Sequence, residues 1–252
     1  MKIFLNGLAF QFLLTTFLFA EHNLYLFEQA NKFYEQDQYK KAVQAYEEII
    51  GNGYESWELY YNLGNAYYKN RQLGKAILNY ERAIRLEPEN EDVQFNLEIA
   101  NLSVVDKINI PPEVFIFEIL SDFKNYFSLN TFSIIVIAFY LLIITFVILR
   151  ILIRNKKVQN ISFVIIILGS VIFVVFASIL GLRINDSQNI KYGVILVNKV
   201  DVMSSPDKDG TEVFSLHEGL KAQVQRQVNN WYQIRLSDGK VGWVMQDILE
   251  II

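Results

Sequence analysis

The residues best suited to chemistry in this sequence are asparagines and aromatic side chains that recur 34 positions apart. The six residues of this set are Phe27, Asn31, Tyr34, Tyr61, Asn65 and Tyr68. An asparagine amide both donates and accepts hydrogen bonds, and an aromatic ring offers a broad apolar surface. The set therefore suits non-covalent recognition of an extended peptide. The alternative is that these side chains are solvent-facing or interhelix residues, since aromatic residues at helical spacing are usually core.

Residues that would support catalysis or metal binding are scarce. The chain has no cysteine, which excludes disulfides, thiolate metal sites and cysteine nucleophiles. Its two histidines, His22 and His217, are isolated, and the sequence has no glycine-rich phosphate loop, nucleophile elbow or metal-ligand spacing. The net charge of −4 argues against nucleic acid as the main partner, because phosphate binding needs a clustered positive field. We expect no catalytic residue, no metal and no cofactor, and therefore no enzyme.

A 34-residue period is typical of tetratricopeptide units, which are helix–turn–helix repeats. The second copy matches the pattern at nine positions: Trp57, Tyr60, Leu63, Gly64, Tyr67, Ala76, Tyr80, Ala83 and Pro88. The first copy, 23–56, matches the pattern at fewer positions. A third copy begins at Glu91, but only its first helix matches the pattern. The repeat domain, 21–105, thus has about two and a half copies, fewer than the roughly three that a solenoid usually needs. We expect support from segment 106–130, the membrane surface or a partner.

One sub-family of these repeats binds the terminal carboxylate of a peptide through lysine and arginine side chains. Asn31 and Asn62 match that pattern, but Phe27 stands where the first lysine is expected. The third copy offers Asp92 and Asn96 instead of cations. We therefore do not expect a carboxylate clamp.

Three apolar blocks predict export and membrane insertion. Residues 1–20 carry Lys2 before an apolar run that ends at Ala20, as in a signal peptide, although an uncleaved signal anchor is the alternative. Residues 131–153 and 161–182 are each long enough to span a hydrocarbon core of about 30 Å. The connector, 106–130, is rich in aromatic residues, which suits either the headgroup region or packing against the repeat.

The charges between the two spans predict the membrane topology. The loop 154–160 contains Arg154, Lys156 and Lys157, so the positive-inside rule places it in the cytoplasm. The export signal independently places the repeat on the outer side. We therefore expect a membrane protein whose repeat and C-terminal domain both face the outer side.

The C-terminal segment, 187–252, changes to short alternating runs that predict about five strands in a small closed barrel. The run from Trp231 to Val244, WYQIRLSDGKVGWV, resembles the last strands of bacterial SH3-like domains, and Val200 to Pro206 resembles their first strand and following loop. Such domains bind peptides or cell-wall glycopeptide. Trp231, with Tyr232 beside it, is a candidate recognition aromatic, whereas Trp243 is expected in the core.

The order of these segments resembles the BatE family of bacterial aerotolerance proteins. The runs FNLEIANLSVVDKI, 95–108, and GTEVFSLHEGLKAQV, 210–224, support the resemblance. It implies action with other membrane Bat proteins and, indirectly, a MoxR-type ATPase in oxygen or envelope stress.

The expected fold is multi-domain: an α-helical tetratricopeptide repeat, a two-helix transmembrane hairpin and a small all-β SH3-like barrel. The expected function is a membrane-anchored protein-interaction scaffold. The alternative is a peptidoglycan-binding anchor that acts through residues 187–252.

Overall fold

The computed structural model describes residues 22–108, 123 and 126–252. The described residues belong to two compact units, one of which combines the helical repeat with the C-terminal sheet, while the other contains the apolar helices. The predicted signal segment, 1–20, and much of the connector, 106–130, lie outside the described residues.

Five helices form the repeat region. Helix α1 covers residues 22–35, and the others are α2 (Tyr39–Gly51), α3 (Trp57–Lys69), α4 (Leu73–Leu86) and α5 (Glu91–Leu102). We call α1, α3 and α5 the A helices, because each opens one copy of the repeat, and α2 and α4 the B helices. The third copy therefore has an A helix without a B helix among the described residues.

The turns between A and B helices repeat their geometry along with the sequence. Asp37 and Arg71 lie 34 residues apart, and their φ angles are 58° and 61°. Both residues thus adopt the left-handed conformation that ends a helix. Helices α3 and α5 begin at side-chain caps, where Ser56 Oγ accepts from Leu59 N and Asn90 Oδ1 accepts from Val93 N.

Small residues allow the two helices of a copy to approach each other. Gly64 of α3 faces the ring of Tyr80 on α4, and a Cβ at Gly64 would lie 2.7 Å from two carbons of that ring. Ala76 and Ala83 of α4 are fully buried. The pattern of small and aromatic residues therefore describes a tightly packed core.

The second unit contains helices α6 (Leu129–Leu152) and α7 (Lys156–Asn189), which pack against each other. Both are long and apolar enough to cross a membrane, and the most apolar 18-residue windows of the two helices have mean hydropathies of 3.0 and 3.1. Only 6% of the most apolar window of each helix is buried, unlike the core helix of a soluble protein. Phe123, Phe127, Phe132 and Phe176 form an aromatic cluster in this unit, with ring centroids 5.8–6.5 Å apart.

The C-terminal residues form a seven-stranded antiparallel sheet with the order β3-β2-β6-β5-β4-β1-β7. Its strands are β1 (Lys191–Ile195), β2 (Lys199–Met203), β3 (Glu212–His217), β4 (Lys221–Val228), β5 (Trp231–Arg235), β6 (Val241–Met245) and β7 (Leu249–Ile251). The sequence predicts about five strands, and β3 and β7 are the additional ones. Strand β3 has its apolar residues Val213 and Phe214 side by side, and β7 has only three residues, so neither shows a clear hydrophobic alternation.

Polar contacts join this sheet to helix α4 within the first unit. Gly74 N donates to Glu218 Oε1 at 2.8 Å, and Lys221 Nζ lies 2.6 Å from Glu81 Oε2. Arg82 forms an ion pair with Glu250, with an N–O distance of 2.8 Å. The sheet thus packs against α4 through polar contacts along the length of that helix.

Asp106 adds a second connection to the sheet. Its Oδ2 accepts from His217 N at 2.6 Å, and its Oδ1 lies 2.9 Å from His217 Nδ1. The short repeat is therefore supported by the C-terminal sheet and by Asp106 at the start of the connector. Support from the sheet is not among the sources that the sequence predicts, which are segment 106–130, the membrane surface and a partner.

Candidate peptide-binding groove

The A helices α1 and α3 hold the six predicted groove residues. Phe27, Asn31 and Tyr34 lie on one face of α1, and Tyr61, Asn65 and Tyr68 occupy the equivalent face of α3; all six are half-buried. Residues spaced three and four apart share a helix face. The side chains on this face are therefore partly accessible from outside.

The asparagines of this face bond tyrosines of the B helices, and the bonds repeat with the period of the sequence. Tyr46 Oη donates to Asn31 Oδ1 at 2.5 Å, and Tyr80 Oη donates to Asn65 Oδ1 at 2.7 Å. Asn96 of α5 also donates to Asn65 Oδ1, at 2.8 Å. These bonds fix the orientation of the amides, which a recognition surface requires.

A cavity of about 260 Å³ opens between α1 and α3. Asn31, Tyr34 and Asn65 line it, as do three residues outside the predicted set, Glu35, Tyr46 and Asn62. The structure thus brings half of the predicted residues together at one concavity. The recurrence of Tyr46 as Tyr80 was visible in the sequence, but nothing in the sequence showed that its hydroxyl reaches Asn31.

The other predicted aromatics mainly pack between helices. The Phe27 ring meets the Tyr46 ring edge-on with centroids 5.8 Å apart, and the Tyr61 and Tyr80 centroids are 6.2 Å apart. Tyr61 also accepts a hydrogen bond from Asn96 at 3.1 Å. Tyr68 is half-buried and does not line the cavity. The same face therefore packs against the B helices and borders a cavity, and the role of these residues in peptide recognition stays a prediction.

Burial sets the protonation of the hydroxyl donors. It raises the pKa of Tyr46 and of Tyr80 well above the ordinary value of 10.0. Burial also raises the pKa of Tyr34, which borders the cavity. Tyr46 and Tyr80 therefore remain neutral donors to the asparagines at physiological pH.

A second cavity, of about 290 Å³, lies between α2, α3, α4 and β7 in the same unit. Tyr67 Oη bonds Glu47 there, and Lys75 Nζ lies 5.1 Å from the centroid of the Tyr67 ring. Asn79 donates to Lys75 O at 2.8 Å, and its Oδ1 has no partner in the described part of the chain. That oxygen is shielded from solvent, so it does not offer a binding group to the cavity.

The predicted recognition aromatics of the sheet lie on β5. Trp231 is half-buried and stands opposite Val228 on β4 and Met245 on β6. Tyr232 is also half-buried, whereas Trp243 is only 4% exposed. Trp243 thus belongs to the core of the sheet, whereas Trp231 is only partly buried.

The two histidines occupy unrelated places. His22 is exposed at the start of α1, and His217 is held by Asp106. Within residues 22–108, 123 and 126–252, no three histidine, aspartate or glutamate side chains group as metal ligands would.

Comparison with known proteins agrees with the helical geometry. Residues 57–90 match the family model of the tetratricopeptide repeat, which covers α3 and α4. A comparison with curated proteins gave no match. The chain therefore contains a tetratricopeptide repeat, followed by two apolar helices and an antiparallel sheet.

Proposed function

We propose that this protein is a membrane-anchored interaction scaffold that binds a partner in the groove of its A helices. The observation that carries the proposal is the convergence of Asn31, Asn62 and Asn65 on one cavity, with two of their amides fixed by buried tyrosines. Amides held in place can bond a peptide backbone without first losing side-chain freedom. The scaffold has no catalytic role in this proposal.

The proposed location is the bacterial inner membrane. The apolar helices α6 and α7 support membrane association. Arg154 between them and Lys156 and Lys157 at the start of α7 support a cytoplasmic location for the connection. The repeat and the sheet would then both face the periplasm. An enzyme reporter fused after Ile252 tests this location. Reporter activity in the cytoplasm instead of the periplasm would contradict the topology.

The proposed partners are other membrane Bat-type proteins and, through them, a MoxR-type ATPase in the response to oxygen or envelope stress. Support for these partners is the resemblance of the whole segment order to the BatE family. The experiment is purification of the tagged full chain from solubilised membranes, followed by identification of the proteins that co-purify.

We expect Bat-type proteins to co-purify with the natural chain and to be lost from Asn62→Ala, which removes a cavity-lining amide. Glu48→Ala is the matched control, because Glu48 is exposed on the B helix α2. Equal recovery of the partners with both variants would contradict the groove as the binding site.

A cell-wall anchor is the second candidate function. The partial exposure of Trp231 supports it, because tryptophan is enriched at binding interfaces. Sedimentation of the full chain with purified peptidoglycan tests this candidate. Binding that Trp231→Ala abolishes would favour the anchor, and no binding would leave the scaffold as the function.

A further inference from the structure

The third A helix continues the groove with apolar residues. Phe95, Ile99 and Leu102 of α5 lie 34 residues after Tyr61, Asn65 and Tyr68, so they occupy the same positions of the repeat. Their side chains are 62%, 38% and 71% exposed. We call these three residues the apolar strip.

The apolar strip is a surface feature that packing within the first unit does not explain. Helix α5 buries only Val93 and Ala100 among its twelve residues. Single exposed apolar side chains are normal on proteins, but several on one helix face indicate an interaction site.

Acidic side chains accompany the groove on all three A helices. Glu28 and Glu35 lie on α1, Glu58 on α3 and Asp92 on α5, and all four are exposed. Each lies one, three or four residues from a groove residue or apolar-strip residue, so each shares or borders that helix face. We call these four residues the acidic rim.

The acidic rim makes the charge around the groove predominantly negative. Glu35 lines the cavity itself. Helices α1, α3 and α5 carry six exposed carboxylates and two exposed ammonium groups, those of Lys32 and Lys69. A further ammonium group, that of Lys107, donates to Leu102 O at 3.1 Å. A groove with this balance attracts cations and repels an acidic tail or a terminal carboxylate.

We propose that the groove binds an extended, basic peptide segment, with a bulky apolar side chain of that segment packed on the apolar strip. The proposal rests on the scaffold function and specifies its partner. The asparagine amides would bond the peptide backbone, the acidic rim would pair with lysine or arginine, and Phe95 with its neighbours would bury a leucine or phenylalanine. Adjacent helices are about 10 Å apart, so crossing three A helices requires roughly six extended residues.

A second copy of this chain fits the groove less well than a basic peptide. The chain has a net charge of −4, so the acidic groove of one copy repels the net negative charge of another copy. Charge complementarity therefore selects a partner of opposite sign.

The test measures binding of fluorescent peptides to the full chain in neutral lipid nanodiscs, with empty nanodiscs as the blank. The basic probe is a peptide of about ten residues that alternates lysine with leucine, long enough to cross the groove. One comparison peptide has glutamate in place of lysine, and another has serine in place of leucine. Fluorescence anisotropy gives the dissociation constants.

We expect the basic apolar probe to bind at least about tenfold more tightly than either comparison peptide, and to weaken as salt is added. Phe95→Ser should weaken it by about tenfold or more. Val213→Ser is the matched control, because Val213 is also an exposed apolar residue, 53% accessible, and lies on β3. Glu58→Gln should reduce the salt dependence of the probe's dissociation constant, and Glu48→Gln should leave that salt dependence unchanged.

Three results would overturn the proposal: equal binding of the acidic peptide, equal binding to Phe95→Ser, or self-association of the chain that Phe95→Ser abolishes. The proposal also fails if no peptide binds. In that case, co-purification of a partner that Asn62→Ala loses would still support the scaffold function, and its absence would count against both.

Discussion

At the scale of single residues, the bonds between tyrosines and asparagines define the groove. Tyr46 and Tyr80 are 1% and 2% exposed, and each donates its hydroxyl hydrogen to an asparagine of its own copy. A typical hydrogen bond contributes about 0.5–1.5 kcal/mol to the free energy of unfolding. The two bonds differ in one respect, because Asn65 also accepts from Asn96 and so retains a partner when Tyr80 loses its hydroxyl.

The first prediction concerns these two hydroxyls. Tyr46→Phe should lower the local free energy of opening by about 1 kcal/mol, because Asn31 loses its hydroxyl donor. Tyr80→Phe should cost less, about 0.5 kcal/mol, because Asn65 retains a donor. Hydrogen exchange of the amides of α1 and α3 in the full chain measures both values. A larger loss in Tyr80→Phe would contradict the assigned bonds.

The second prediction concerns alkaline pH. Burial raises the pKa of Tyr46, Tyr67 and Tyr80 above the ordinary value of 10.0, which these tyrosines regain on unfolding. Below pH 10 they are neutral in both states, so their contribution to stability is fully present. As the pH rises above 10, only the unfolded chain readily loses these protons, and the repeat is destabilised.

The measurement is an alkaline titration that follows helical circular dichroism and tyrosinate absorbance together. We expect both signals to be flat up to about pH 9 and helix loss to accompany tyrosinate formation above pH 10. The double variant with Tyr46→Phe and Tyr80→Phe should show a weaker pH dependence above 10. The same steepness in that variant would contradict the buried-tyrosine explanation.

At the scale of helices and strands, the third prediction uses the close approach of α3 and α4. A Cβ at Gly64 would meet the Tyr80 ring at 2.7 Å and Ala76 O at 3.3 Å. Gly64→Ala should therefore destabilise the repeat by roughly 1–2 kcal/mol, even after the gain in helix propensity.

Gly51→Ala is the control for this substitution, because a Cβ at the end of α2 meets nothing within 4 Å. It should be neutral or slightly stabilising. Hydrogen exchange of the α3 and α4 amides distinguishes the two variants. Equal effects would show that packing between the helices does not limit the size of residue 64.

The sequence predicts some elements well because their physical signals are local. The repeat period locates α3 and α4, since small and large residues alternate where two neighbouring helices pack together. The apolar runs locate α6 and α7 by length and hydropathy. Strand β7, in contrast, has three residues, and its identity depends on pairing with β1 at Gly193 and Ile195. Such long-range pairing has no local signature.

The candidate site was predicted only in part for the same reason. The positions of Asn31 and Asn65 follow from the repeat register, but their partners Tyr46 and Tyr80 lie fifteen residues away on other helices. The apolar strip could have been found by extending the register to the third copy. The weak similarity of that copy to the first two concealed Phe95 as a groove residue.

At the scale of the whole first unit, the repeat and the sheet stabilise each other through α4. The fourth prediction concerns Gly74, where a Cβ would come within 2.7 Å of Ile195 O and 3.2 Å of Leu196 Cα. Ile195 O also accepts from Gly219 N at 2.8 Å. Gly74→Ala should therefore force the sheet away from α4 and lower the free energy of unfolding of this unit by about 1–3 kcal/mol.

Hydrogen exchange of the full chain tests this interface. In Gly74→Ala, we expect faster exchange at Gly219 and Ile195, with exchange in α1 and α2 nearly unchanged. Gly51→Ala again serves as the control. Unchanged protection at Gly219 would contradict a tight contact between α4 and the sheet.

Photo-crosslinking in cells that express the full chain tests most directly whether the A-helix groove binds a partner. A photo-reactive amino acid at Tyr68, on the groove face of α3, should crosslink one discrete protein, and the same group at Glu48 on α2 should not. Addition of Asn62→Ala should remove the crosslink at residue 68. Crosslinking that is equal at residues 48 and 68, or that persists with Asn62→Ala, would contradict the groove as the working surface of the scaffold.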